Sequence, residues 1–177
     1  ARGGQCALSA LQTRAWRRDG ASSASRRRRH HDPSGHDSPS GPCTPRGERL
    51  KAGPTLTLYH QTSPSAGASI MKHGFVPGYG GARRDIAGPG TYFATSAHAT
   101  NGKAHHHGFC ISAQVSIGRT LNVKRSPGHY SMGRLSRMCR DSLHIDRGWR
   151  GGDEYVIYSR DQMPLGGLRH VPCQRRR

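Results

Sequence analysis

Phe109-Cys110-Ile111-Ser112-Ala113-Gln114-Val115-Ser116-Ile117 carries an apolar side chain at every odd position. Successive side chains of a strand point to opposite faces, so this stretch reads as a half-buried β-strand ending in the turn Gly118-Arg119. Upstream, Thr55-Leu56-Thr57-Leu58-Tyr59 is β-prone and leads directly into His60. Ser63 as N-cap and Pro64 in the first turn then open a helix through Ala66, Ala68, Ile70 and Met71, which Gly74 closes in the left-handed position. Phe75-Val76 follows as a docking pair, 77–90 is a glycine-rich loop, and Thr91-Tyr92-Phe93-Ala94 is a short strand. A helix is expected from Ser96 through Ala97, Ala99 and Lys103 to the histidines at 105–107.

Downstream, Leu121-Asn122-Val123 is another short strand, and Tyr130 to Arg140 is an amphipathic helix with Met132, Leu135 and Met138 spaced three apart. Tyr155-Val156-Ile157-Tyr158 is the C-terminal strand, preceded by Glu154. Strands outnumber helices and are not regularly separated by long ones, which argues against a βαβ nucleotide fold. The glycine-rich loop also lacks the strand, G-x-G-x-x-G and helix succession of a dinucleotide site. The expected class is α+β, a curved, mostly antiparallel sheet with short helices, over residues 54–172.

The chain has 177 residues, room for one domain. Lys and Arg number 28 against ten acids, a formal charge of +18 that admits nucleic acid, anionic membrane or a polyanionic cofactor as partner. Residues 52–177 hold seventeen basic and six acidic side chains, so the compact part is still +11 without its N-terminal segment. Residues 1–53 read as a disordered basic tail or targeting segment: Arg26 to Arg29, two histidines and an Asp-Pro-Ser-Gly-rich run offer little apolar burial against the entropy of ordering them. That composition fits an organelle transit peptide, a nuclear import signal, a phosphate-binding patch or a solvated linker. Nucleus or cytoplasm is the expected compartment, with organelle import open. Residues 173–177 form a basic C-terminal end. No stretch approaches the roughly 18 continuous apolar residues of a membrane span. Cysteines 6, 43, 110, 139 and 173 form no C-x-x-C pair and are expected as free thiols in a reducing compartment, a Cys43–Cys173 bridge being left open.

Glu154 is one of two glutamates in the chain. A carboxylate in such basic surroundings suits contact with a hydroxyl or a developing cation. Read with Tyr59-His60-Gln61-Thr62 and Gly90-Thr91-Tyr92-Phe93-Ala94, it points to cleavage of the nicotinamide–ribose bond of NAD. That reaction needs a flat clamp on nicotinamide, a hold on the ribose hydroxyls, and a carboxylate facing the oxocarbenium-like transition state. Tyr92 offers a stacking face, His60 an imidazole and Glu154 the carboxylate, with His60 and Tyr92 expected as walls of one cleft. The plainer alternatives are a strand-end histidine bonded to a carbonyl, a Tyr92-Phe93 pair in the core, and a solvated Glu154 beside Asp153. The histidine triplet, with Cys110 or His98, matches no ordinary zinc spacing, so no metal is expected. Arg83, Arg84 and Lys103 read as facing the pyrophosphate or as solvated.

In these three segments, and in Glu154-Tyr155-Val156-Ile157-Tyr158 running on to Asp161-Gln162-Met163, the chain resembles the catalytic domain of poly(ADP-ribose) polymerase-type (PARP-like) ADP-ribosyltransferases, the histidine–tyrosine–glutamate branch. The likeness covers roughly residues 54–168. It implies the ADP-ribosyltransferase-like fold, NAD as co-substrate and transfer of ADP-ribose to a protein or nucleic acid. It implies that His60 bonds the 2′-hydroxyl of the adenine-side ribose, that Tyr92 stacks on nicotinamide, and that Glu154 bonds the other ribose and stabilises the ribosyl cation. Gln61 replaces the glycine whose backbone contacts the carboxamide, Thr62 completes that motif, and Thr100 supplies a hydroxyl for the carboxamide oxygen. The family's second stacking tyrosine has no counterpart, and His105 or His106 lies nearest; Arg83 is assigned to the pyrophosphate. The segment between Leu121 and Asp153 is short for the family, which favours single-unit transfer; the chain is expected as a monomer. The alternatives are a non-catalytic nucleic-acid- or ADP-ribose-binding domain of the same fold, and an RNA 2′-phosphotransferase, whose family lacks the Glu-Tyr-Val-Ile-Tyr end.

Overall fold

The computed structural model describes residues 43–79, 86–124, 128–148 and 152–174. The expectations for residues 1–42, for Arg83 and Arg84, and for 175–177 fall outside the described residues. Strands β1 (Thr55–Thr62), β2 (Thr91–Ala94), β3 (Phe109–Ser116), β4 (Thr120–Lys124), β5 (Ser142–Asp146), β6 (Glu154–Ile157) and β7 (Leu168–Val171) form one sheet. Their order is β4-β5-β6-β2-β1-β3-β7, and only the β4–β5 pair is parallel. Helices α1 (Arg46–Ala52), α2 (Pro64–His73) and α3 (Met132–Arg137) are short. The chain is therefore α+β with an open, mostly antiparallel sheet. Among the described residues no helix is long and apolar enough to cross a membrane.

The period of two in β3 does what it predicts: Ile111, Ala113 and Val115 are fully buried. They join Leu58, Phe75, Phe93, Ile157, Met163 and Leu168 in one apolar cluster, against which Tyr155 packs. A second cluster gathers Ala87, Leu121, Tyr130, Leu135, Leu143, Ile145, Val156 and Tyr158, with Tyr92 packed against it. Strand β6 therefore feeds both clusters, Val156 into the second and Tyr155 and Ile157 into the first. The α2 helix starts where its sequence dictates, with the Ser63 hydroxyl accepting from the Ala66 amide and Pro64 in the first turn. It ends at Gly74, whose φ of 80° suits glycine. Gly67 lets α2 lie flat on β3, since a Cβ there would sit 2.2 Å from the Phe109 ring.

Several expectations are corrected. The domain does not begin at 54: α1 precedes β1, and its Arg49 is buried in an ion pair with the fully buried Asp141, Nη2 to Oδ1 2.6 Å. Arg46 reaches Asp161 from the same helix. A helix this short, starting at Pro45-Arg46-Gly47, shows no apolar period, which is why the sequence reads as tail. Cys43 and Cys139 are joined as a disulfide, and only Cys110 and Cys173 are free among the described cysteines. Neither the all-thiol reading nor a Cys43–Cys173 bridge holds. Cys139 adopts a φ of 54° just beyond α3, so the helix expected to reach Arg140 stops early. The helix expected over 96–107 shrinks to a 3₁₀ turn at His98–Gly102, leaving the histidine triplet outside it. The Thr100 hydroxyl bonds the Ala97 carbonyl and Gly102 disfavours continuation, so the turn stays short. Of the pair Phe75-Val76, Phe75 docks and Val76 is exposed.

Candidate active site

Three strands carry the singled-out residues, and they are consecutive in the sheet: β6, β2, β1. Tyr59 pairs with Ala94, and Ala94 pairs with Glu154. Directly paired residues share a face, so Tyr59, Ala94 and Glu154 form one cross-strand row, about 10 Å long at two strand spacings. By alternation Tyr92 and Gln61 point to the same side as this row. Tyr59–Ala94 is the single paired position between β1 and β2, while β1 pairs with β3 along its whole length. Beyond Tyr59, β1 parts from β2 and the sheet opens a gap there.

His60 stands at that gap. Its Nδ1 lies 2.9 Å from the Tyr92 carbonyl oxygen. A carbonyl only accepts, so Nδ1 carries the proton and the neutral ring keeps an acceptor at Nε2. The imidazole meets Phe75 and Phe93 edge-on, with centroids 5.2 and 5.9 Å away. Burial among them lowers its pKa, and the bond to Tyr92 opposes that more weakly. The ring thus belongs to the Phe93 side of the sheet, while Tyr92, one residue from Phe93, points to the other. The expectation that His60 and Tyr92 are walls of one cleft is corrected: their rings lie on opposite sides of the sheet, because period-two alternation on β2 turns Tyr92 away from Phe93. The carbonyl-bonded strand-end histidine, the plainer alternative, describes the observed contact.

The Tyr92 hydroxyl donates to the Gly88 carbonyl and accepts from the Ala87 amide, both at 2.9 Å. It pins the end of the glycine-rich loop, a role the sequence did not disclose. Gly88 is required there, because a Cβ would lie 2.2 Å from the Tyr130 carbonyl at a φ of +91°.

Glu154 is no solvated turn residue. It is the first residue of β6, 5% exposed, and its Oε2 accepts from Arg147 Nε at 2.6 Å. Asp153 beside it is fixed separately, Oδ2 lying 3.0 Å from His144 Nε2. Lys103 donates to the carbonyls of Gly152 and Asp153 at the approach to β6. Burial lowers the Lys103 pKa, partly offset by Glu154. Gly152 packs on Ala99, a Cβ there meeting Ala99 Cβ at 3.3 Å.

At the other end of the row, the buried Thr100 hydroxyl lies 2.8 Å from Gln61 Oε1. The 98–103 turn therefore spans the face, held to β1 at Thr100 and to the approach of β6 at Lys103. Thr62 ends β1 opposite Phe109. His105 and His106 are exposed. Gln61 also lines a cavity of about 540 Å³ with Asn101, His107, His170, Cys173 and Gln174. Among the described residues no three His, Cys, Asp or Glu side chains are grouped to hold a metal.

Glu154, Tyr92, Gln61 and Thr100 are thus brought to one face, His60 reaches the gap from the other, and His105 stands apart. Arg147 and Lys103 were missed as partners of Glu154. Neither is signalled by a motif, since what couples them to the carboxylate is the return of the chain between β5 and β6. Compared with known proteins, the chain matches no family model and no curated sequence.

Proposed function

We propose that this domain binds NAD and transfers ADP-ribose, on an ADP-ribosyltransferase-like fold, by cleaving the nicotinamide–ribose bond. The observation that carries the reading is the row Tyr59–Ala94–Glu154, which sets three motifs distant in sequence side by side on β1, β2 and β6. A buried carboxylate at the head of β6 stabilises positive charge at the anomeric carbon, and in a water-poor setting that stabilisation is worth more than in solvent. Tyr92 on the same face supplies an aromatic surface for nicotinamide, and Gln61 and Thr100 lie beside it. Arg147 has to yield part of the carboxylate before a ribose hydroxyl can use it. His60 then serves the adenine-side ribose through Nε2, and a dinucleotide that meets both His60 and Tyr92 passes through the parting of β1 and β2. The acceptor is a protein or nucleic acid, and single-unit transfer fits the short chain between β4 and β6.

Purified protein incubated with NAD should release nicotinamide and yield ADP-ribosylated products by mass spectrometry. Glu154→Gln should fold and lose about 100-fold or more in nicotinamide release, since the charge opposite the ribosyl cation is gone. Undiminished release from the folded variant would remove Glu154 from the mechanism. The opposed rings of His60 and Tyr92 favour a second reading, an ADP-ribose- or nucleic-acid-binding domain without turnover. Binding of NAD with no nicotinamide release at any enzyme concentration would select it.

A further inference from the structure

Gln61, Cys110 and Val171 are paired across β1, β3 and β7, so their side chains share one face. Cys110 is fully buried there, its Sγ 3.7 Å from the Thr100 hydroxyl. Strand β7 ends at Val171, and the next residue, Pro172, has no amide hydrogen to give the ladder. Cys173 lies two residues beyond Val171 and so returns to the face of Cys110. Kept in register it would be a diagonal neighbour, about 7–8 Å away between Cα atoms and just beyond the reach of a disulfide. Released from the ladder after Pro172, its thiol comes within hydrogen-bonding reach of Cys110 instead. Burial pushes the Cys110 thiol up, the Thr100 contact opposes that, and the contact with Cys173 adds to it. The two sulfurs meet different surroundings. Cys173 is half-buried and lines the cavity of about 540 Å³ with Gln61 and His107, whereas Cys110 is no part of its wall. Among the described residues no third side chain joins them in a group that could hold a metal.

We propose that Cys110 and Cys173 form an oxidation-sensitive dithiol, in which Cys173 reacts with a hydroperoxide from the cavity and Cys110 resolves the product to a disulfide. In the first step the Cys173 sulfur attacks the terminal peroxide oxygen. An S–O bond forms, the O–O bond breaks, and the thiol proton passes to the departing oxygen, leaving a sulfenic acid and an alcohol or water. In the second, the Cys110 sulfur attacks the sulfenic sulfur. The S–S bond forms, the S–O bond breaks, and hydroxide leaves with the Cys110 proton as water. Two thiols are oxidised by two electrons in all, and one peroxide is reduced. The new bond draws Cys173 onto β3, and with it Gln174, whose carbonyl accepts from the Asn101 amide of the His98–Gly102 turn. The inference goes beyond the transferase reading and stands without it.

The test exposes the full chain, its Cys43–Cys139 bond intact, to hydrogen peroxide, alkylates the remaining thiols and maps the non-reduced peptides by mass spectrometry. Wild type should yield a peptide pair joined through Cys110 and Cys173, two hydrogens lighter than the separate thiols, and lose alkylation at both positions. Folded Cys110→Ser should instead accumulate a sulfenic acid at Cys173, captured by dimedone. Folded Cys173→Ser should keep Cys110 alkylatable at peroxide doses that exhaust both thiols in wild type. The wild-type map needs no variant to fold, and absence of the joined peptide from it would overturn the pair. So would a bridge from Cys173 to any other cysteine, or oxidation of Cys110 in Cys173→Ser as fast as in wild type.

Discussion

Arg147 grips the Glu154 carboxylate, with Nε 2.6 Å from Oε2, so the acid at the head of β6 is already neutralised by a cation from the preceding loop. Glu154 is nearly buried while the Arg147 side chain is 30% exposed, so the pair is worth less than a fully buried one. Arg147→Gln should therefore cost about 1–3 kcal/mol in urea unfolding, mostly the penalty of leaving a buried carboxylate alone. In a Glu154→Gln background the same change should cost far less. Additive losses in that double-mutant cycle would show the two side chains to be energetically independent.

Acid should loosen the fold through His60. Its ordinary pKa of 6.5 is lowered in the folded state by burial. Between the two values the unfolded chain holds a proton that the folded chain refuses. Stability is thus fully present above pH 6.5 and declines as pH falls through the folded value. His60→Gln should flatten this dependence between pH 7 and 5. An unchanged slope in the variant would mean that other groups carry the acid sensitivity.

The disulfide between Cys43, just before α1, and Cys139, just after α3, predicts sensitivity to reductant. The Cys43–Cys139 bridge spans 96 residues of chain, and closing such a loop stabilises by about 2–4 kcal/mol. Dithiothreitol should lower the unfolding midpoint of the wild type and leave the Cys43→Ser/Cys139→Ser variant unmoved. Equal response of both would place the bond outside the stability of the native state.

Tyr92 does two jobs that one substitution separates. Tyr92→Phe removes the hydroxyl that holds Ala87 and Gly88, and should cost about 1 kcal/mol of stability while retaining NAD affinity. Tyr92→Ala removes the ring as well and should weaken NAD binding by about 1–3 kcal/mol. Similar NAD affinity for the two variants would show that the ring is not the stacking surface.

The parts of the fold legible in the sequence are those set by local chemistry. Ser63, Pro64 and Gly74 bound α2 by their own caps, and β3 announces its face by alternation. The parts missed depend on partners far along the chain. Strands β5 and β7 carry ordinary short apolar runs, and Ser142–Asp146 becomes a strand by lying between β4 and β6. Helix α1 exists because Asp141, 92 residues away, takes the Arg49 guanidinium. At the site, Glu154, Tyr92 and Gln61, each singled out from the sequence, lie on one face of the sheet, yet which way His60 and Tyr92 face follows from the one-residue offset between Tyr92 and Phe93. Motif matching does not count that parity. Arg147, and the placement of Lys103 beside Glu154, escaped for the same reason as α1, since both are properties of where the chain returns.

Because β6 lends alternate side chains to two separate apolar clusters, neither can melt without withdrawing support from the strand that begins at Glu154. Local opening of a protein usually spares its best-connected segment until last. Amide protons of Tyr155 to Ile157 should accordingly be among the slowest to exchange, with a protection close to that of global unfolding. The carboxylate at the head of that strand keeps its position for as long as the domain holds together.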